Sequence, residues 1–173
     1  ENDTPTRNLA RYVKETGERY VPNFKVRIVN RRDRYLRGGD HIPFLERGFD
    51  AVRFTENAED FSHQHQDLRT ENGKKFGDLP EFMDFNYAAQ VARVNASALA
   101  SLALAPAAPR EVKVITRNLT NKTDLAWAAN GEPDLAGYRV VWRETTAPDW
   151  QGAVFVGNVT SYTSALSKDN VFF

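Results

Sequence analysis

The chain has 173 residues, with 23 Lys plus Arg balancing 23 Asp plus Glu and 41% hydrophobic residues. That is room for one good domain or two small ones, and the even charge removes any global pull toward nucleic acid or an anionic membrane. Cysteine is absent, which excludes disulfides and thiol chemistry, and no apolar run reaches the roughly 18 residues that span a bilayer.

The first stretch, "TPTRNLARYVKETG", predicts a helix with Thr4 as N-cap, Pro5 at the first helical position and Gly17 at the end. Leu9, Tyr12, Val13 and Thr16 share one face. "FKVRIVN" (24–30) alternates with β-branched residues and predicts a half-buried strand, and "DAVRFTE" (50–56) predicts another. Between them, Asp40 suits an N-cap, Pro43 suits a first turn and Gly48 suits the C′ position, which gives a short helix over 41–47. Residues 56–79 show no period and are expected to form a long loop. A long helix is expected from Pro80 to about Ala103, with Phe82, Phe85, Ala89 and Leu102 among its apolar positions.

The hydrophobic period changes across the Ala- and Pro-rich stretch near 102–112, and residues 106–110 are expected to link a unit over 1–105 to one over 111–173. The second unit reads as all-β. "REVKVITRNLTN", "TDLAWAA", "AGYRVVWRET", "AVFVGN", "TSYTSAL" and "NVFF" are six short strand candidates separated by turn residues, the spacing of a sandwich.

The three histidines are His41, His63 and His65, the last two inside "HQHQD". Imidazole is the commonest neutral metal ligand, and a nearby carboxylate often orients it. A polar surface loop accounts for the same residues. Asp40 is explained by helix capping alone, but the Gly38–Gly39 pair before it asks for a tight turn or a close backbone approach. His41 by itself reads as a hydrogen-bonded structural histidine. Sequons stand at Asn2, Asn95, Asn118, Asn121 and Asn158, and they carry meaning only in a eukaryotic secretory host.

"RGGDHIPFLERGFDAVRFTE", "HQHQD" and "FGDLPEFMDFNYAAQVARVNASALASLA" together resemble the C-terminal part of the di-zinc aminopeptidases, a metallopeptidase family that includes the glutaminyl cyclases. The matching pattern is Asp40-His41-Ile42-Pro43-Phe44, a strand to Glu56, and His63 four residues ahead of Asp67. The resemblance implies an α/β fold with a mixed sheet and helices on both faces. It implies two zinc ions and a peptide substrate, with His63 as the last zinc ligand and His65 as the less favoured choice. Asp40 would stand beside the metals, and Phe61 and His41 would contribute to the substrate pocket. The other ligands and the general base precede this part of the family's chain. Glu1 opens the sequence without a Met, so the piece is expected to be trimmed and inactive by itself, its partner being the missing N-terminal part of the peptidase domain.

The second unit resembles a fibronectin type III domain, with Trp127 of "LAWAA" and Tyr138 of "DLAGYRVVWRET" at its strand B and strand C positions, and is expected to be truncated. Such domains accompany exported hydrolases, which implies a secreted or periplasmic location. Two other functions stay open at this point. One is a non-catalytic scaffold or binding module, and the other is a glutaminyl cyclase-like zinc enzyme.

Overall fold

The computed structural model describes residues 4–32 and 38–173, so the Asn2 sequon lies outside the described residues. The chain divides into two compact units that part between Leu102 and Ala103.

In the first unit, helix α1 runs Pro5–Tyr20. Thr4 caps it as expected, its side chain accepting from the Arg7 amide, and Pro5 opens the first turn, where its missing N–H costs nothing. Gly17 does not end the helix. It lies within α1 because a Cβ there would sit 2.8 Å from a Val94 methyl on helix α3, Phe85–Ala103. The glycine is a packing residue that lets two helices approach. Val13, Val21, Val94 and Ala98 form the buried core, with Leu9, Phe24 and Val26 packed against it.

Helix α2, His41–Glu46, matches the expected short helix. Gly48, at φ 81, sits at C′, and the Phe49 and Gly48 amides donate to the carbonyls of Phe44 and Leu45, closing the two bonds of a Schellman motif. Asp40 stands at the N-cap position, but its side chain makes no capping bond. Its backbone is αR (φ −63, ψ −17), and a capping side chain needs the extended conformation to reach back to the second or third amide. The glycines before it have the close contact they called for. A Cβ on Gly39 would meet Arg53 Cδ and His41 Nδ1, each at 3.0 Å, and Arg53 donates to the Gly38 carbonyl.

Residues 24–30 and 50–56 form no strand, and the mixed sheet expected for this unit is absent among the described residues. Phe24, Val26 and Ile28 still alternate inward against exposed Lys25, Arg27 and Val29. The alternation that sets a strand's faces is in place, but a ladder also needs a neighbour to take its N–H and C=O groups. One of those groups, the Val26 amide, is taken by the Glu18 carboxylate instead.

The expected loop over 56–79 contains structure. A 3₁₀ turn spans Phe61–His63. Strands β1, Arg69–Glu71, and β2, Lys74–Phe76, form an antiparallel hairpin. Asn72 (φ 49) and Gly73 (φ 80) are both left-handed, the type I′ geometry whose twist matches the strands. Pro80 opens a separate 3₁₀ turn over Pro80–Phe82, not the long helix. Met83 is extended, and α3 starts behind Asp84, whose carboxylate accepts from the Tyr87 amide. Val94 and Ala98 are the buried positions of α3, whereas Phe85, Ala89 and Leu102 are exposed.

In the second unit the six strand candidates form six strands in two three-stranded antiparallel sheets. These are β3 (Arg110–Ile115), β4 (Thr123–Ala128), β5 (Tyr138–Glu144), β6 (Gly152–Gly157), β7 (Ser161–Ser164) and β8 (Val171–Phe172). The sheet orders are β3-β4-β7 and β6-β5-β8. Leu125, Trp127, Tyr138 and Val140 make the core, with the Trp127 and Tyr138 rings 5.3 Å apart. Tyr138 Oη accepts from the Asn130 amide at 2.7 Å and donates to the Asn130 side chain. Glu132 accepts from the Ala107 amide and Asn130 donates to the Ala107 carbonyl, which ties the linker to this unit. The Glu132 carboxyl is held below its ordinary value chiefly by that Ala107 bond.

The α1–α3 contact is testable. Gly17→Ala should destabilise the protein by about 1–3 kcal/mol through overpacking, despite alanine's better helix propensity of about 1 kcal/mol. In a Val94→Ala background the same change should cost less, giving a coupling of about 1 kcal/mol or more in urea midpoints. Independent costs would mean that the two residues do not share this contact.

Candidate metal-binding segment

The segment 60–82 is organised by one carboxylate. Asp60 is extended (φ −99, ψ 98), so its side chain reaches forward to cap the 3₁₀ turn. It accepts from the Ser62 amide at 3.0 Å and from the Ser62 hydroxyl. The side-chain bond from Ser62, then the backbone bond from Ser62, hold the Asp60 carboxyl down at about 2, with smaller help from Lys74 and His63 against the cost of desolvation. Asp60 is therefore an ionised acceptor at any ordinary pH.

His63 closes the turn and is fixed on three sides. Its ring stacks on Phe82 with centroids 3.6 Å apart and 7° between the planes. Its Nε2 lies 3.2 Å from the Lys75 carbonyl oxygen on β2. A carbonyl only accepts, so Nε2 carries the proton and donates. Its Nδ1 lies 3.5 Å from Asp60 Oδ2. In the neutral ring that pair is two lone-pair atoms facing each other, an arrangement that calls for a proton or a cation between them.

This geometry fits zinc in part. Zn–N of about 2.0–2.1 Å and Zn–O of about 2.0–2.2 Å at a tetrahedral angle place two donor atoms about 3.4 Å apart. A backbone carbonyl accepting from the other ring nitrogen is the usual brace of a metal-bound histidine. Zinc wants about four donors, and among the described residues no group of three or more His, Cys, Asp or Glu could hold a metal. His63 and Asp60 supply two donor atoms at a spacing that suits zinc, short of the roughly four it wants.

His63 and His41 line one cavity of about 1210 Å³ in the first unit, together with Asp60 and Gln64. Asp40, Phe61 and His65 are not among its lining residues. His41 Nε2 donates to the Arg32 carbonyl at 2.7 Å, which leaves Nδ1 an acceptor. Among the described residues that Nδ1 is buried without a partner, and so is Gln64 Oε1. Buried polar atoms are normally satisfied, and here both orphans are acceptors on residues that line the same cavity as Asp60. Arg27, Arg31, Arg32 and Arg53 also line the cavity, with Arg53 paired to Glu59 at 3.4 Å. His65 is exposed, has φ 53, and its amide donates to Asp78.

In the sequence the acid of the matching pattern is Asp67, four residues behind His63. The acid that faces the ring is Asp60, three residues ahead. The legible signal was an Asp two positions before a Ser, a local cap. The stack on Phe82 had no signal in the sequence, because it depends on where the chain behind the hairpin places the Pro80–Phe82 turn.

Over its whole length the chain is 51% identical to a protein of Leptosphaeria maculans named probable zinc metalloprotease, of which it spans 40%. It is 49% identical to a protein so named from Pyrenophora tritici-repentis and 50% identical to one from Pyricularia oryzae, spanning 36% of each. The chain therefore covers 36–40% of the length of these relatives. No family model matches the chain, and no solved structure matches it significantly. Among the described residues no helix is long and apolar enough to cross a membrane.

The Asp60 cap makes a pH prediction. A depressed carboxyl contributes stability that is complete above its ordinary 3.8 and is lost as pH falls through about 2. Ser62→Ala removes the largest cause, so the Asp60 side-chain carbon should titrate nearer 3.8 by NMR. An unchanged titration would mean that Ser62 does not hold this carboxylate.

Proposed function

We propose that the chain is the C-terminal part of a zinc-dependent aminopeptidase, exported, with two zinc ions in the complete enzyme, and inactive by itself. The observation that carries the reading is His63, an imidazole braced by the Lys75 carbonyl with its Nδ1 3.5 Å from an ionised Asp60. The whole-length identity to proteins named probable zinc metalloprotease supports it. Bound zinc supplies Lewis acidity toward a scissile carbonyl and an activated water. The chain's own residues do the holding. Lys75 and Phe82 fix the ring plane, Asp60 adds negative charge beside Nδ1, and the unpaired acceptors on His41 and Gln64 suit a ligand that brings N–H groups, as a peptide does. The sandwich is read as a fibronectin type III-like accessory domain.

Zinc content of the full-length parent, measured by elemental mass spectrometry, tests this. Wild type should hold close to two zincs per chain. His63→Ala should lose metal, and Asp60→Asn should weaken zinc binding by about 10–100-fold. Aminoacyl chromogens should be cleaved in preference to cyclisation of peptides with N-terminal Gln. A His63→Ala protein that keeps its full zinc would overturn the reading, and a zinc-free parent would leave a scaffold.

A further inference from the structure

Four sequons fall on described residues, and their surroundings differ. Asn95 lies inside α3, half-buried, its amide donating 2.9 Å to the Val91 carbonyl one turn back. Asn118 and Asn121 share one turn. The Asn118 amide is engaged with Asp124, and the Thr123 that completes the second sequon is 0% exposed with its hydroxyl donating to Leu166. Asn158 is different. It follows Gly157, where β6 ends at φ 73, and its side chain is exposed, with no hydrogen bond among the described residues. Val159 and Thr160 are exposed too, and the Val159 amide bonds back to Gly157 in a tight turn.

The same turn adjoins a liability. β6 is the edge of the β6-β5-β8 sheet, and Phe155, three residues before Asn158, is 62% exposed. An open apolar edge strand invites pairing with another chain unless something covers it.

We propose that Asn158 is an N-linked glycan acceptor and that its glycan shields the β6 edge. The donor class is an oligosaccharide on a lipid pyrophosphate. The Asn158 Nδ2–anomeric carbon bond forms and the anomeric carbon–phosphate oxygen bond breaks. The lipid pyrophosphate leaves with that electron pair, and the amide proton passes to the transferase base and on to solvent. The proposal rests on passage through a eukaryotic secretory route, and the relatives come from fungi.

The chain is secreted from yeast behind a supplied leader, so acceptor chemistry is tested apart from the native location. Peptide mapping after N-glycosidase treatment in heavy-oxygen water should mark Asn158 in most molecules and leave Asn95 unmarked. Asn158→Gln and Thr160→Ala should each remove the same glycan. Enzymatic deglycosylation of the folded protein should raise self-association by light scattering, and adding Phe155→Lys should return it to the starting value. A bare Asn158 in secreted wild type, or a glycan on Asn95 in folded protein, overturns the acceptor assignment. Unchanged association after deglycosylation overturns the shielding role.

Discussion

One carboxylate receives the Ser62 amide, the Ser62 hydroxyl, the Lys74 ammonium and the open side of the His63 ring. Each contact constrains a different stretch. The Ser62 bonds set the 3₁₀ turn, Lys74 draws in the second strand of the hairpin, and the turn then presents His63 to the Lys75 carbonyl. The Gly77 amide closes the ring of contacts by donating to the Ser62 carbonyl. A stretch with little apolar burial is ordered here by hydrogen bonds to a charged group, which are worth more than neutral ones.

The core of this unit is thin in comparison. Four small or medium residues are buried, and the exposed side of α3 carries Phe85, Ala89, Ala92, Ala96 and Leu99 at 4,3,4,3 spacing. Segments 24–30 and 50–56 keep apolar side chains turned toward the cavity without a strand ladder to join them. These features have one cause. Apolar faces recur along α1, α3 and the two extended segments, and among the described residues no strand pairs with 24–30 or 50–56.

That cause also separates what was legible from what was not. Periodicity reports faces, and on α1 the expected face is buried at Val13 and Thr16, whereas Phe85, Ala89 and Leu102, expected on the apolar face of α3, are exposed. Periodicity does not report partners, so 24–30 was read as a strand. The Asn72–Gly73 turn is written in the sequence, but its flanking strands are only three residues each and fully polar but for Phe76, too short and polar to show a strand period. Asp84 as the start of α3 lost to Pro80, since both are good helix-start residues and only the extended Met83 between them decides. Gly17 resembles a stop signal in the sequence, because a sequence shows missing side chains but not what fills the space.

His63 carries one more step. The resemblance named the residue as a ligand but not which nitrogen would serve. The proton position in an imidazole is set by what the other nitrogen meets, and here that is the Lys75 carbonyl, which can only accept. Nε2 is spent on the backbone, and Nδ1 is the atom that faces Asp60. Because the carbonyl belongs to β2, the hairpin decides the tautomer. The hairpin is held in turn by Asn72 and Gly73 in left-handed conformations and by Lys74 reaching Asp60 at 3.6 Å. The chemistry available to the ring thus depends on a turn with no chemically reactive residue in it.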